Sequence, residues 1–153
     1  MTWSLALQNG DLQLAGSDLG IVTGEAKLIQ DLTCFVLTSL GSDPSHPDYG
    51  SIILGGSDGS GITYQSFLSG VNNSVSASQL MNELQRILLA YQNMQLIRAQ
   101  TDKAVYGKTT FSKGEVLLTV NSITATSDQA TVTLVVNMTT AAGTSVQLNV
   151  PVN

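Results

Sequence analysis

The residues with the most evident chemical potential lie between positions 25 and 59. Gly55-Gly56-Ser57-Asp58-Gly59 satisfies the Gly-x-Ser-x-Gly pattern of a hydrolase nucleophile elbow, and it follows the apolar run Ile52-Ile53-Leu54 as an elbow follows a strand. Hydrolases of that kind draw their general base from a histidine later in the chain. The only histidine here, His46, lies upstream between Pro44 and Pro47. The pattern is therefore read as a coincidence in a glycine-rich loop spanning Gly55 to Gly61. The loop also lacks the Gly-Lys-Ser/Thr that a nucleotide phosphate cradle requires.

Paired carboxylates suffice for glycoside cleavage. Glu25 and Asp31 are six residues apart, about 240° round a helix and so not on one face. Asp43 and Asp48 can approach each other across a turn, but neither has the apolar surroundings that would raise one acid for proton donation. They read as turn-capping acceptors of backbone amides. One histidine and one cysteine cannot close a zinc site, and the acids lack calcium-loop spacing, so no metal and no cofactor is expected. Cys34, in an apolar helical run, reads as a buried free thiol. On these grounds the chain is expected not to be an enzyme, with a cell-wall (peptidoglycan) hydrolase working through two carboxyl groups as the enzymatic alternative.

Composition favours adhesion over chemistry. Apolar residues make up 42% of the 153 residues and charged residues only 11%, against about 25% charged in ordinary soluble domains. A surface poor in charge suits faces covered by neighbours, because each buried charge must be paired or neutralised. The net charge is −5, and the six Lys and Arg form no basic stripe. Phosphate binding depends on such a stripe, so no direct nucleic-acid contact is expected. No window approaches 18 uninterrupted apolar residues, which argues against membrane insertion. The opening Met1 to Gly10 shows no basic leader before a long apolar stretch, so synthesis in the cytoplasm is expected.

The elements that must position these residues follow from periodicity. Trp3, Leu5 and Leu7, then Leu12 and Leu14 after Asn9-Gly10, predict an N-terminal β-hairpin. Trp3 reads as a core-facing strand residue, with an interface anchor as the other reading. Leu28, Ile29, Leu32, Val36 and Leu40 form a helical stripe that Gly41 can terminate. Two prolines within Asp43 to Gly50 force an ordered turn or surface loop. Thr63 to Val71 suggests a short helix. Ser76 and Gln79 form a capping box, with Val75 and Leu80 as a hydrophobic staple, and Leu80, Leu84, Ile87, Leu88 and Tyr91 carry a second helix past Met94. Val116, Leu118 and Val120, then Ala130 to Met138, then Val146, Leu148, Val150 and Val152 alternate as three strands joined near Thr126 to Asp128 and at Ala142-Gly143. No internal repeat and no second core is visible. The expected fold is a single α+β domain over 1–153, with two core-facing helices packed on a C-terminal antiparallel three-stranded sheet.

Taken in order, Gly10-Asp11-Leu12, Glu25 with Gln30-Asp31, Leu37-Thr38, Gly41 and Pro47-Asp48-Tyr49-Gly50-Ser51 resemble the small baseplate wedge, or sheath-initiator, family of contractile-tailed bacteriophages, whose relatives occur in type VI secretion systems and contractile bacteriocins. The resemblance covers residues 10 to 51. Beyond them only the order of elements agrees. The family's Glu-Pro-Arg triplet after the long helix is missing, and Arg98 is the nearest candidate for its inner-baseplate contact. The resemblance implies a structural protein of the virion that joins the inner wedge around the tail tube and nucleates the sheath. Its implied partners are other wedge proteins, sheath subunits and the tube or hub. The terminal strand with Val146, Leu148, Val150 and Val152 is the expected docking strand, because β-strand addition draws on an unpaired edge; Pro151 removes one amide from it. The hydrolase alternative then becomes a tail-associated one, and a regulatory adaptor is a further alternative.

Overall fold

The computed structural model describes residues 2–8, 11–58, 60–64, 66, 74–128 and 131–152. Six two-residue strands open the chain: β1 (Ser4–Leu5), β2 (Leu7–Gln8), β3 (Asp11–Leu12), β4 (Leu14–Ala15), β5 (Asp18–Leu19) and β6 (Ile21–Val22). Helix α1 (Gly24–Val36) follows, then β7 (Ser39–Leu40), β8 (Ser51–Ser57) and β9 (Thr63–Tyr64). Helix α2 (Ser74–Tyr106) runs for 33 residues, about 50 Å at the α-helical rise. A 3-10 turn at Lys113–Glu115 leads into β10 (Leu117–Asp128), β11 (Thr131–Thr140) and β12 (Ser145–Val152).

The α+β architecture expected from periodicity is present, with β10, β11 and β12 forming an antiparallel meander. Strict alternation places Val132, Leu134, Val136 and Met138 of β11, and Val146, Leu148 and Val150 of β12, in one buried layer. Both helices cover that layer, α1 against β12 and α2 against β10. Leu28, Leu32, Phe35 and Val36 of α1 meet Leu80, Leu84, Ile87, Leu88 and Tyr91 of α2 there. Each fully buried aliphatic side chain contributes roughly 1.5 to 3 kcal/mol, so sheet and helices stabilise each other.

Several local expectations are corrected. Helix α1 ends at Val36, because Thr38 and Ser39 turn the chain into β7; Leu40 is buried on that strand, and Gly41 (φ +70°) bends the chain after it. Gly55 and Gly56 lie in strand β8 and not in a loop. Gly56 stands opposite Leu40, where a Cβ would come within 2.3 Å of the Leu40 carbonyl oxygen, so only glycine lets the two backbones meet. Thr63–Tyr64 pairs with β8 as a strand where a helix was expected, and residues 67–71 lie outside the described residues. Helix α2 starts at Ser74, which puts Ser76 inside its first turn instead of flanking it. In β10, register shifts between Leu117 and Thr119 and between Val120 and Ser122 change the phase, so Leu117 faces the core and Leu118 faces out. The strand continues through Thr126 to Asp128, and the link to β11 passes through residues 129 and 130, outside the described residues.

The N-terminal segment departs most from a simple hairpin. β2 pairs with β3, β4 with β5 and β1 with β6, giving three short antiparallel arms; the expected turn residues 9 and 10 are outside the described residues. The arms meet at a closed ring of backbone bonds. Ala6 N–H donates to Gly20 O at 2.8 Å, Gly20 N–H to Gln13 O at 2.8 Å, and Gln13 N–H to Ala6 O at 2.9 Å. A repeat in the sequence underlies this ring: Leu5-Ala6-Leu7, Leu12-Gln13-Leu14 and Leu19-Gly20-Ile21 recur every seven residues, with Asp11, Asp18 and Glu25 at matching positions. The expectation of no internal repeat is thereby corrected. Gln30 of α1 holds the unit to the body, accepting from Leu7 N–H at 2.9 Å and donating to Leu5 O at 2.8 Å, one on each side of Ala6.

Candidate functional site

The turn Pro47-Asp48-Tyr49-Gly50 is built as a backbone junction. Asp43 starts it by accepting the Ser45 amide at 2.9 Å and lying 3.0 Å from His46 Nδ1. The His46 bond, then the Ser45 amide, hold the Asp43 carboxyl below its ordinary range. Tyr49 packs edge-on against Phe35 with ring centroids 4.4 Å apart. Gly50, at φ +103°, passes so close to α1's exit that a Cβ would lie 2.7 Å from the Thr38 carbonyl oxygen. Pro47 and Asp48 are exposed. The four residues are together, and they position the start of β8: the Ser51 hydroxyl donates to Val36 O at 2.6 Å and its amide to Thr38 O at 2.8 Å.

Helix α2 is fastened to this junction by a carboxylate that spacing alone does not reveal. Glu83 is buried, accepts the Ile52 amide at 2.9 Å and is gripped by Arg86, whose Nη2 also donates to Gly50 O at 3.0 Å. Further along the helix, buried Gln95 donates to Glu115 O at 2.7 Å and accepts from Leu117 N–H at 3.0 Å. Gln92 donates to Leu118 O at 3.0 Å. Burial pushes the Glu115 carboxyl up, but bonds from Ser112 and Thr2 outweigh it, and the net shift is downward. Arg98 is exposed and lies over the Phe111 ring, 5.9 Å from its centroid.

On the expected docking strand, Val146, Leu148 and Val150 point into the core, and the side chain of Val152 lies outside the described ones. The apolar side chains of β12 are thus used by the core of the chain itself. β12 and β10 are the two outer strands of the sheet. Beside β10 a groove of about 590 Å³ runs between Met81, Gln85 and Leu89 of α2 and Leu118 to Ile123.

Four further acids, Glu25, Asp31, Asp58 and Asp102, are engaged by the protein's own donors. Asp31 pairs with Lys27 and accepts from Tyr91 Oη at 3.3 Å, and burial, then the Asp31 charge, drives the Tyr91 phenol far up. The Thr144 hydroxyl bonds Glu25. Thr110 holds Asp102 below its ordinary range, as Ser60 does Asp58. Every described carboxyl whose acidity departs from the ordinary value therefore moves down. Cys34 is half-buried and free, its thiol raised by burial and then by the Asp31 charge. Among the described residues, no group of three or more His, Cys, Asp or Glu is placed to hold a metal ion, and no helix is long and apolar enough to cross a membrane. Ser57 lies on β8, with Gly59 outside the described residues.

The chain matches no protein-family model and no curated protein sequence. Its fold is similar to that of a solved structure described as a "putative tail lysozyme" from Geobacter sulfurreducens, with a TM-score of 0.53 and 15% identity over 84% of this chain and 88% of that one. The likeness concerns the fold. It also overturns the expectation that the chain is not an enzyme, because a protein of this architecture carries a hydrolase description. That expectation rested on spacing in sequence, whereas two carboxyl groups distant in sequence can be brought together by the fold.

Proposed function

We propose that this chain is a component of a bacteriophage tail. The supporting observations are the fold likeness to a protein described as belonging to a tail and the ordered residues from Gly10 to Ser51 that resemble the small baseplate wedge family.

Within the tail, we infer an assembly subunit of the baseplate, joining wedge proteins around the tube and starting the sheath. One observation carries it: the three-stranded sheet leaves an outer edge on both β10 and β12. Unpaired main-chain donors and acceptors on such edges are what an added strand from another subunit satisfies. Virions carrying a proline in place of a residue of β12 whose amide faces the open edge, which leaves the core side chains of the strand in place, test this. The expected result is tails without attached sheath, and normal sheath on such tails would overturn it.

A second reading, a tail-associated cell-wall hydrolase, is favoured by the lysozyme description of the similar structure. Incubation of the purified chain with peptidoglycan discriminates the two. Loss of turbidity with release of reducing ends establishes hydrolysis, and unchanged wall material removes it.

A further inference from the structure

A half-open cavity of about 320 Å³ lies between α2 and the segment that follows it. Leu96 and Ala99 of α2 line it together with Phe111 and Val116. Its frame is fixed by bonds already made. Gln95 is buried and satisfied at both ends of its amide, donating to Glu115 O at 2.7 Å and accepting from Leu117 N–H at 3.0 Å, and Gln92 donates to Leu118 O at 3.0 Å. Amides spent on the protein's own backbone leave an occupant mainly C–H surface to meet, so its body must be apolar. The volume is at the small end of ligand cavities, which run from roughly 300 to 1,000 Å³. A short alkyl chain meets both limits.

The cavity also carries one charge. Lys113 lines it, is exposed, and has no ion-pair partner among the described residues. Arg98, 5.9 Å from the centroid of the Phe111 ring, adds positive potential beside it. The acids at this end of the molecule are held by hydroxyls: Asp102 by Thr110, Glu115 by Ser112 and Thr2, and Glu25 by Thr144. Asp102 also feels the Arg98 charge, which leaves Lys113 as the cation open to a ligand. An unpaired cation at the rim of an apolar recess selects an anion with an apolar body, because each half of such a molecule meets its complement.

We propose that this cavity binds a small aliphatic carboxylate, its chain against Leu96, Ala99, Phe111 and Val116 and its charge at Lys113. The proposal is independent of any place in a tail.

The test titrates the purified full chain with octanoate at neutral pH, and with octanol in parallel, following backbone amides by nitrogen–proton correlation spectra. Saturable shifts are expected around Gln95 to Ala99 and Phe111 to Leu117, with a dissociation constant on the order of 1 mM. Octanol should bind about tenfold more weakly, and Lys113→Glu should weaken octanoate by about the same factor while leaving octanol unchanged. Ala99→Leu, which fills the cavity, should remove both ligands. Lys113 is exposed, so its variant reports on binding even where Ala99→Leu disturbs the fold. Absence of saturation, shifts centred elsewhere on the chain, octanol binding as tightly as octanoate, or octanoate binding indifferent to Lys113→Glu would each overturn the proposal.

Discussion

Arg86 grips Glu83 one turn away on α2 with two hydrogen bonds of 2.7 Å, from Nε to Oε2 and from Nη2 to Oε1. The carboxylate also takes the Ile52 amide, and the guanidinium also takes the Gly50 carbonyl, so one ion pair clamps the helix to both sides of a backbone turn. The two partners are unequally exposed. Removing Arg86 leaves a buried carboxylate with one amide donor, while removing Glu83 leaves a guanidinium that water can reach. Arg86→Ala should cost about 3 kcal/mol and Glu83→Ala about 2 kcal/mol, read from urea unfolding midpoints. The double variant should lose less than the sum.

Acid should loosen the N-terminus through Glu115. Its folded-state carboxyl lies below the ordinary value of 4.5, so the stability it contributes is present above that value and is lost as pH falls through the lower, folded one. Melting temperature measured on either side of pH 4.5 should fall on acidification in the parent and fall less in Glu115→Gln. A carboxamide keeps one acceptor for Ser112 or Thr2 but does not titrate.

Gly56→Ala tests why β8 contains adjacent glycines. The residue has φ +146°, and its Cβ would sit 2.3 Å from one Leu40 backbone atom and 2.7 Å from another. Neither strand can yield without breaking the β7–β8 contact, so about 3 kcal/mol should be lost. Gly143→Ala, at φ +83° with open space around it, should cost about 1 kcal/mol. Thermal unfolding of the two variants gives the comparison.

Neighbouring leucines on β10 should respond in opposite ways. Leu117 is buried and Leu118 exposed, so Leu117→Ala should cost about 2 to 4 kcal/mol and Leu118→Ser less than about 0.5 kcal/mol. Equal losses in chemical denaturation would contradict the phase set by the two register shifts.

The sheet and the helical stripes were legible because their signal is local. Val132 to Met138 alternates without interruption, and Leu28, Leu32 and Val36 recur at helical spacing. Phase in β10 was not, since bulges depend on which partner residue sits opposite. Gly55-Gly56 read as a loop because the feature that demands glycine is the Leu40 backbone, brought near only by tertiary structure. The fastening side chains escaped for the same reason: Thr2 reaches Glu115 across 113 positions, and Glu83 reaches Ile52 across 31. Trp3, expected on the core face, is 64% exposed, because the chain ahead of β1 runs outside the core. The seven-residue repeat was present in the letters, but a three-residue motif flanking Asn-Gly is equally well described as one hairpin.

The ring at Ala6, Gln13 and Gly20 constrains how this part of the molecule can vary. The three bonds join the bases of the arms, so dropping one arm leaves a ring donor with nothing to meet, whereas a change at an arm's far tip leaves the ring as it is. The order of this segment is thus fixed at its centre, by three amides that each need a carbonyl from another part of the chain, and left to vary at its periphery.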